Sequence, residues 1–422
     1  MKAHIQSHLK HARSERGAVV AHVAIAMVGL LAFSTFALDY GVMWTARRQA
    51  QNSADAAAMA GAITLAYSGL DRDAAAPIAR QRALEAAARN RIWGEAPDNA
   101  SVDVFVPYDC PAGSPGAGTN ACIRVDVYRE PAKGNPLPTF FGNLAGVTQQ
   151  GVRATATAEV MIGDSTDCVK PFAIPDKWLE RRDDVAPAGF SGDDAFDRYN
   201  QQGGLLPGAV DEYRPPNGSD PGTGFTRTSV GVGGSDYGTL IQLKAATGNK
   251  VGAGFFQLME IDCPGANCAE WNILNCNPTV VGPGSGINGA EPGAKLGPVS
   301  TALQELYNRD SSATWDPNLY GPNKGGISGG CMAGGTCAIS PRLMAVGVYN
   351  TDTFAQSLGG GQGGGGRATP LEITKIIGFF LAAPPDRRGE ISGYITYYPA
   401  PPRPMVSNSP QSAFVISIAM VR

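Results

Sequence analysis

AVVAHVAIAMVGLLAFSTFAL, residues 18–38, runs for 21 residues without an Asp, Glu, Lys or Arg. Wound as an α-helix it is about 31 Å long, the thickness of a bilayer's hydrocarbon core. Lys2, Lys10, Arg13 and Arg16 precede it, whereas Arg47 and Arg48 follow. That excess of cations orients the N-terminal side to the cytoplasm and sends everything after Asp39 across the membrane. A secretory signal peptide is the competing reading. Its apolar core is about 7–15 residues long, shorter than this run, although Thr35-Phe36-Ala37 would serve as a cleavage site. His22 falls inside the span near its cytoplasmic end, where a neutral imidazole is the simplest reading. Residues 1–17 therefore read as a basic cytoplasmic leader and 18–40 as an uncleaved transmembrane helix.

The helical pattern continues beyond the span. Trp44 suits a membrane–water interface. Ala46, Ala50, Ala54, Ala57, Gly61 and Leu65 then recur at intervals of three or four, the spacing of one helix face. Gln49, Gln51, Asn52 and Asp55 lie off this stripe. A face of such small residues lets a neighbouring helix or sheet approach closely; it is either packing within this domain or a surface for another subunit. The helix is expected to run to about Tyr67 and end near Gly69. Asp73 to Asn90, alanine-rich with Arg80, Arg82, Glu85 and Arg89, reads as a second, solvent-facing helix.

Period-two alternation follows. Val102, Val104 and Val106 form one run, Ile123, Val125 and Val127 another, and Val152 to Ile162 a third. The loop Cys110-Pro-Ala-Gly-Ser-Pro-Gly-Ala-Gly-Thr-Asn-Ala-Cys122 lies between the first two, which suits a hairpin stapled by a disulfide. Helix, helix and antiparallel sheet make residues 41–162 an α+β unit. Residues 163–422 differ in texture, with short apolar runs punctuated by aromatics, Gly and Pro. Thr239–Lys244, Phe255–Ile261, Met344–Tyr349, Ile373–Leu381, Ile391–Tyr398 and Phe414–Val421 read as strands. Pro298–Asn308 reads as the one clear helix, and Gly359–Gly366 as a flexible linker. This half is expected to be a mostly-β extracytoplasmic domain with glycine-rich loops.

Composition narrows the chemistry. All four histidines, His4, His8, His11 and His22, lie at the start, so the main body cannot build a Ser-His-Asp or Cys-His centre or a His-ligated zinc site. Charged residues are 17% of the chain and the net charge is -3, which provides no basic stripe for nucleic acid. Gly326-Ile327-Ser328-Gly329-Gly330 matches a nucleophile elbow, but it reads as a glycine-rich loop and no histidine follows it. Asp193, Asp194 and Asp197 could approach a calcium ion, although a solvated acidic turn is the simpler reading. No catalytic residue, cofactor site or metal site is expected. The eight cysteines all follow the apolar run, as suits disulfides in an oxidising compartment rather than thiolate metal ligands. Short loops pair Cys110 with Cys122 and Cys331 with Cys337; Cys168 with Cys276 and Cys263 with Cys268 complete the set.

Several segments resemble the TadG-like branch of the TadE/TadG tight-adherence (Flp) pilus-assembly family. They are Arg16-Gly17, the apolar run, Leu38-Asp39-Tyr40-Gly41, Arg47-Arg48, and above all Gln51-Asn52-Ser53-Ala54-Asp55-Ala56-Ala57-Ala58-Met59-Ala60-Gly61. Cys168-Val169-Lys170-Pro171-Phe172-Ala173-Ile174-Pro175-Asp176-Lys177-Trp178 is a second match. Gly293-Ala294-Lys295-Leu296-Gly297-Pro298 is a weaker third. Ile377-Gly378-Phe379-Phe380 and Ile391-Ser392-Gly393 are also similar. The resemblance implies a structural or assembly component of a type IV-like pilus system, anchored in the inner membrane and contacting pseudopilins or other assembly proteins. Related minor pseudopilins are cut after a glycine, with Glu five residues beyond. Here the glycine is Gly17 and the fifth residue is His22, so the chain departs from that processing pattern. Many relatives carry a von Willebrand-like adhesion domain, whose Asp-x-Ser-x-Ser motif is missing here. An envelope adhesin or ligand-binding module outside any pilus is the alternative reading.

Overall fold

A computed structural model describes residues 2–67, 72–181, 194–200, 202–228, 234–246, 251–290, 296–319, 325–337, 339–359, 369–401 and 409–421. The fold is α+β. Helix α1, Lys2–Tyr67, is one uninterrupted rod of 66 residues, about 99 Å long at the α-helical rise. Helix α2, Arg72–Arg89, returns antiparallel beside its second half, with Ser53 of α1 hydrogen-bonded to the carbonyl of Ala87 at 3.2 Å. Against the solvent-facing reading of α2, its face carrying Ala75, Ala79, Ala83 and Ala87 is fully buried. Alanines spaced by four build a seam against the alanines of α1, while Arg80 and Arg82 remain exposed.

These helices cover one face of a sheet. Strands β1 (Val102–Tyr108) and β2 (Cys122–Arg129) precede a small hairpin, β3 (Leu137–Pro138) and β4 (Gln149–Gln150). Strand β5 (Val152–Gly163) then lies antiparallel to β2, pairing Ile123 with Ala158 and Val127 with Ala154. Ile123, Val125 and Val127 of β2 and Ala154, Ala156 and Ala158 of β5 enter the same core as the alanines of α1 and α2. Small side chains on both helix and sheet let the layers sit close.

The remaining chain forms β6 (Val169–Pro175), β7 (Leu240–Ala245), β8 (Phe255–Met259), α3 (Ala266–Leu274), β9 (Gly286–Ala290) and α4 (Leu296–Arg309). After these come β10 (Ala313–Asp316), β11 (Gly326–Gly329), α5 (Gly330–Ala333), β12 (Leu343–Tyr349) and α6 (Thr351–Gly359). Last are β13 (Thr369–Leu381), β14 (Ile391–Thr396), β15 (Tyr398–Pro399) and β16 (Val415–Val421). Helices α3 and α6 accompany α4, so this half holds more helix than the single segment 298–308. Asn-Cys-Ala-Glu-Trp-Asn and Thr-Asp-Thr-Phe give weak helical signals that packing overrides. The glycine tract lies outside the described residues from position 360 onward.

Seven strands pair in the order β12-β6-β8-β7-β14-β13-β9, with β12 also joining β13 and β8 also joining β9. The sheet therefore closes on itself as a barrel. Both faces of β12 are buried: Met344, Val346 and Val348 enter the core shared with Phe172, Phe256 and Phe379, while Leu343, Ala345 and Tyr349 enter a second one with Trp178 and Phe196. Strand β16, beyond the barrel strands in the chain, pairs antiparallel with β5, from Val415 opposite Gly163 to Val421 opposite Thr157. The first sheet thus reads β1-β2-β5-β16-β15. A boundary at 162/163 divides the sequence but not this sheet.

Candidate functional site

Three features outside ordinary packing stand out: an uncovered apolar rod, the neck where it meets the body, and a buried ionic cluster in the barrel.

From Val19 to Leu38 every described large apolar side chain of α1 is more than half exposed, with Ile25 at 72% and Phe33 at 71%. The most apolar window has a mean hydropathy of 2.1 and none of it is buried. A helix apolar on every side and bare of protein is long and apolar enough to cross a membrane.

At Asp39 the helix meets the body. Its carboxylate accepts backbone N–H bonds from Phe140 and Gly142, each at 2.7 Å, and from Phe141 at 3.2 Å. These donors open a single 3-10 turn, Gly142–Ala145, between β3 and β4. Phe36 stacks on Tyr40, and Arg48 lies over the Trp44 ring at 5.1 Å. Further along, Gln49 accepts the Trp93 N–H at 2.8 Å and Gln51 donates to the Thr155 carbonyl at 3.1 Å. Ala46, Ala50, Ala54 and Ala57 have no exposed surface and pack within the chain, against α2 and the sheet. Gly61 is held closest: a Cβ there would fall on Ile123 Cδ1 and lie 3.3 Å from the Ala79 carbonyl oxygen.

The segment Cys168–Trp178 supplies Asp176 and Lys177 to a buried polar cluster. Asp176 is fully buried at the end of β6; it accepts from Lys375 Nζ at 2.9 Å, Tyr213 Oη at 3.0 Å and the Phe225 N–H at 2.8 Å. Lys177 Nζ reaches both oxygens of Asp236 at 2.7 and 2.8 Å. Burial pushes the Tyr213 hydroxyl well above its ordinary range and raises the Asp236 carboxyl, against the pull of Lys177. Each charge has an opposite partner, as burial demands. Gly224 is required here, because a Cβ would overlap the Asp176 carboxylate. Lys170 donates to the carbonyls of Asn275 and Asn272 at the end of α3, at 2.9 and 3.3 Å. Desolvation, aided by Arg309, pushes its ammonium down to about 8. Sequence reading missed this cluster because its partners lie far apart in the chain.

Arg342, 1% exposed, is a second buried cation. Its guanidinium donates to the carbonyls of Leu381, Ala382, Asp310 and Ala313, and stacks over Tyr307 and Phe380 at 4.3 and 4.7 Å. These contacts tie the ends of β13, α4 and β10 together, which makes it a structural group.

Disulfides join Cys110 to Cys122, Cys168 to Cys276, Cys263 to Cys268 and Cys331 to Cys337. Gly326–Gly329 is a strand paired with β10 and leads directly into the single turn of α5, rather than being a loop. Ser328 sits opposite Thr314 in that ladder. Asp193 lies outside the described residues; Asp197 donates its N–H to Asp211 at 2.6 Å. Among the described residues no three His, Cys, Asp or Glu side chains are grouped to hold a metal ion.

Residues 17–64 match the Tad family of TadE/G-like Flp pilus-assembly proteins. The match starts at the glycine before the apolar rod and ends within the α1–α2 seam. No curated protein and no solved structure matches the chain.

Proposed function

We propose that this protein is a structural subunit of a tight-adherence (Flp) pilus-assembly apparatus, of the TadG-like branch. Residues 1–17 lie in the cytoplasm, α1 crosses the inner membrane once, and the body works on the far side, in contact with pseudopilins or other assembly proteins. The observation that carries this reading is the coincidence of the matched segment, 17–64, with the bare apolar rod and its packed continuation. One helix thereby serves as membrane anchor and as core of the body. Four disulfides support an oxidising compartment for everything after Asp39. The barrel's buried charges are met by each other in Asp176–Lys375 and Lys177–Asp236 and by backbone carbonyls at Lys170 and Arg342, which supports a structural role.

The test is fractionation with protease protection in the native host, followed by deletion. The full-length chain is expected to stay with the inner membrane through alkaline washing, to expose its body only on the far side, and to be required for surface pili. A soluble mature protein beginning at Leu38 would overturn the anchor. Normal pili in the deletion strain, with loss of adherence alone, would favour the adhesin reading.

A further inference from the structure

Among the described side chains of the loop between β3 and β4, three large apolar ones are exposed. Phe140 is 58% exposed and Val147 52%, with Phe141 beside them at 37%. A soluble surface loop gains nothing from displaying two adjacent phenylalanines. The loop is nevertheless held in one position, because Asp39 takes three of its backbone N–H groups.

Between this loop and α1 lies an apolar groove of about 670 Å³. Val28, Leu31 and Phe36 form its helix wall, and Phe141 and Val147 face them. The helix wall is the span itself. Whatever surrounds the span therefore also enters the groove. Phe36 lies three residues before Asp39, about 4.5 Å along the axis, so the loop sits where hydrocarbon gives way to headgroups. Tyr40 and Trp44, both 57% exposed, follow within about 8 Å of Asp39 along the axis, in the zone that aromatic belts occupy. Arg47 and Arg48 follow about 12 Å above Asp39, within reach of phosphates. Asp39 itself has its charge met by the three N–H donors, so it can approach hydrocarbon without a free cation.

We infer that the Thr139–Val147 loop is a membrane wedge: Phe140, Phe141 and Val147 insert into the leaflet facing the folded body, and lipid acyl chains fill the groove against α1. The wedge gives the body a second point of contact with the bilayer and fixes its tilt about the span. The inference rests on the membrane reading of α1.

The experiment places p-benzoylphenylalanine at position 33, 140 or 105 of the full-length protein. Each variant is reconstituted in vesicles of phosphatidylethanolamine and phosphatidylglycerol, irradiated and analysed by mass spectrometry. Phe33 belongs to the bare span, and Phe105 is exposed on β1, far from the neck in sequence. The expected result is phospholipid adducts at 33 and 140 and none at 105. Lipid at 33 with only a crosslinked dimer at 140 would overturn the wedge and assign the groove to a second copy. Lipid at 33 with no adduct at 140 would place the loop in water and also overturn it. No lipid at 33 would sink the membrane reading itself, and the wedge with it.

Discussion

Gly61 offers a sharp test of the α1–sheet seam. A methyl group added there falls on Ile123 Cδ1, whose side chain is fully buried in β2. Gly61→Ala should gain roughly 1 kcal/mol in helix propensity but lose about 1–3 kcal/mol to overpacking. The net expectation is destabilisation. Ile123→Val removes the one carbon that collides. By itself it costs about 0.5–1.5 kcal/mol as a buried methyl deletion. With Ile123→Val already in place the added methyl finds space, and only the Ala79 carbonyl oxygen at 3.3 Å remains tight. Gly61→Ala should then be neutral or stabilising. The two substitutions should couple by more than about 1 kcal/mol, against the roughly 0.3–0.5 kcal/mol within which independent sites add. Native-state amide exchange of α1 and α2 in the detergent-solubilised full chain reads this locally, without assuming that body and barrel unfold together. Equal costs for Gly61→Ala with and without Ile123→Val would refute the seam. Thr45→Leu, which adds bulk on the exposed face of the same helix, should change exchange little.

Three other outcomes follow from the structure. Removing Cys168–Cys276, which closes 108 residues, should cost about 5 kcal/mol in the chain-entropy model, against about 3 kcal/mol for Cys110–Cys122, which closes 12; denaturation of the paired serine variants under oxidising conditions would expose a reversed order. Lys375→Met leaves Asp176 buried without its cation and should cost about 3–5 kcal/mol, and adding Asp176→Asn should recover part of that by thermal unfolding; no recovery would mean that the pair is not coupled. Competitive acetylation should titrate Lys170 with a midpoint near 8; because its folded value lies below the unfolded one, the fold gains stability as pH rises above 8 and loses it on the way back down, and a midpoint shared with the exposed lysines would contradict the burial.

What could be read from the residues was what is local. The apolar rod, the α1 stripe and the alternation of β1, β2 and β5 each declare themselves within one window: the rod is apolar on every side, and the others differ between one face and the other. The barrel did not. Strand β12 is buried on both faces, so it carries no period to announce its partners, and closure through β13 is a matter of pairing across distance. The same holds for β16, an apolar run whose partner β5 lies some 250 positions earlier. The neck was hidden for a related reason. Asp39 could be read as a residue that ends a span, but its bonds cross 101 to 103 positions to a loop with no regular pattern. Lys177 and Asp236 are 59 apart and equally silent in sequence. Phe140-Phe141 was the one signal available for the neck: adjacent aromatics in a glycine-bounded turn, with no strand alternation to bury them.

Two connections join the barrel to the first sheet. One is the covalent link from β5 into β6. The other is β16, which follows the last barrel strand in the chain and runs antiparallel along β5 for seven paired positions. Strand β5 in turn lies on α1 through Ala154, Ala156 and Ala158. Because α1 is one uninterrupted helix, no break in helix lies between the apolar rod and its seam with β5. Gln51, hydrogen-bonded to Thr155, joins the two at the point where they first meet. The Asp39 carboxylate, bonded to the Phe140, Phe141 and Gly142 N–H groups, adds a further tie between the rod and the body, independent of the α1–β5 seam.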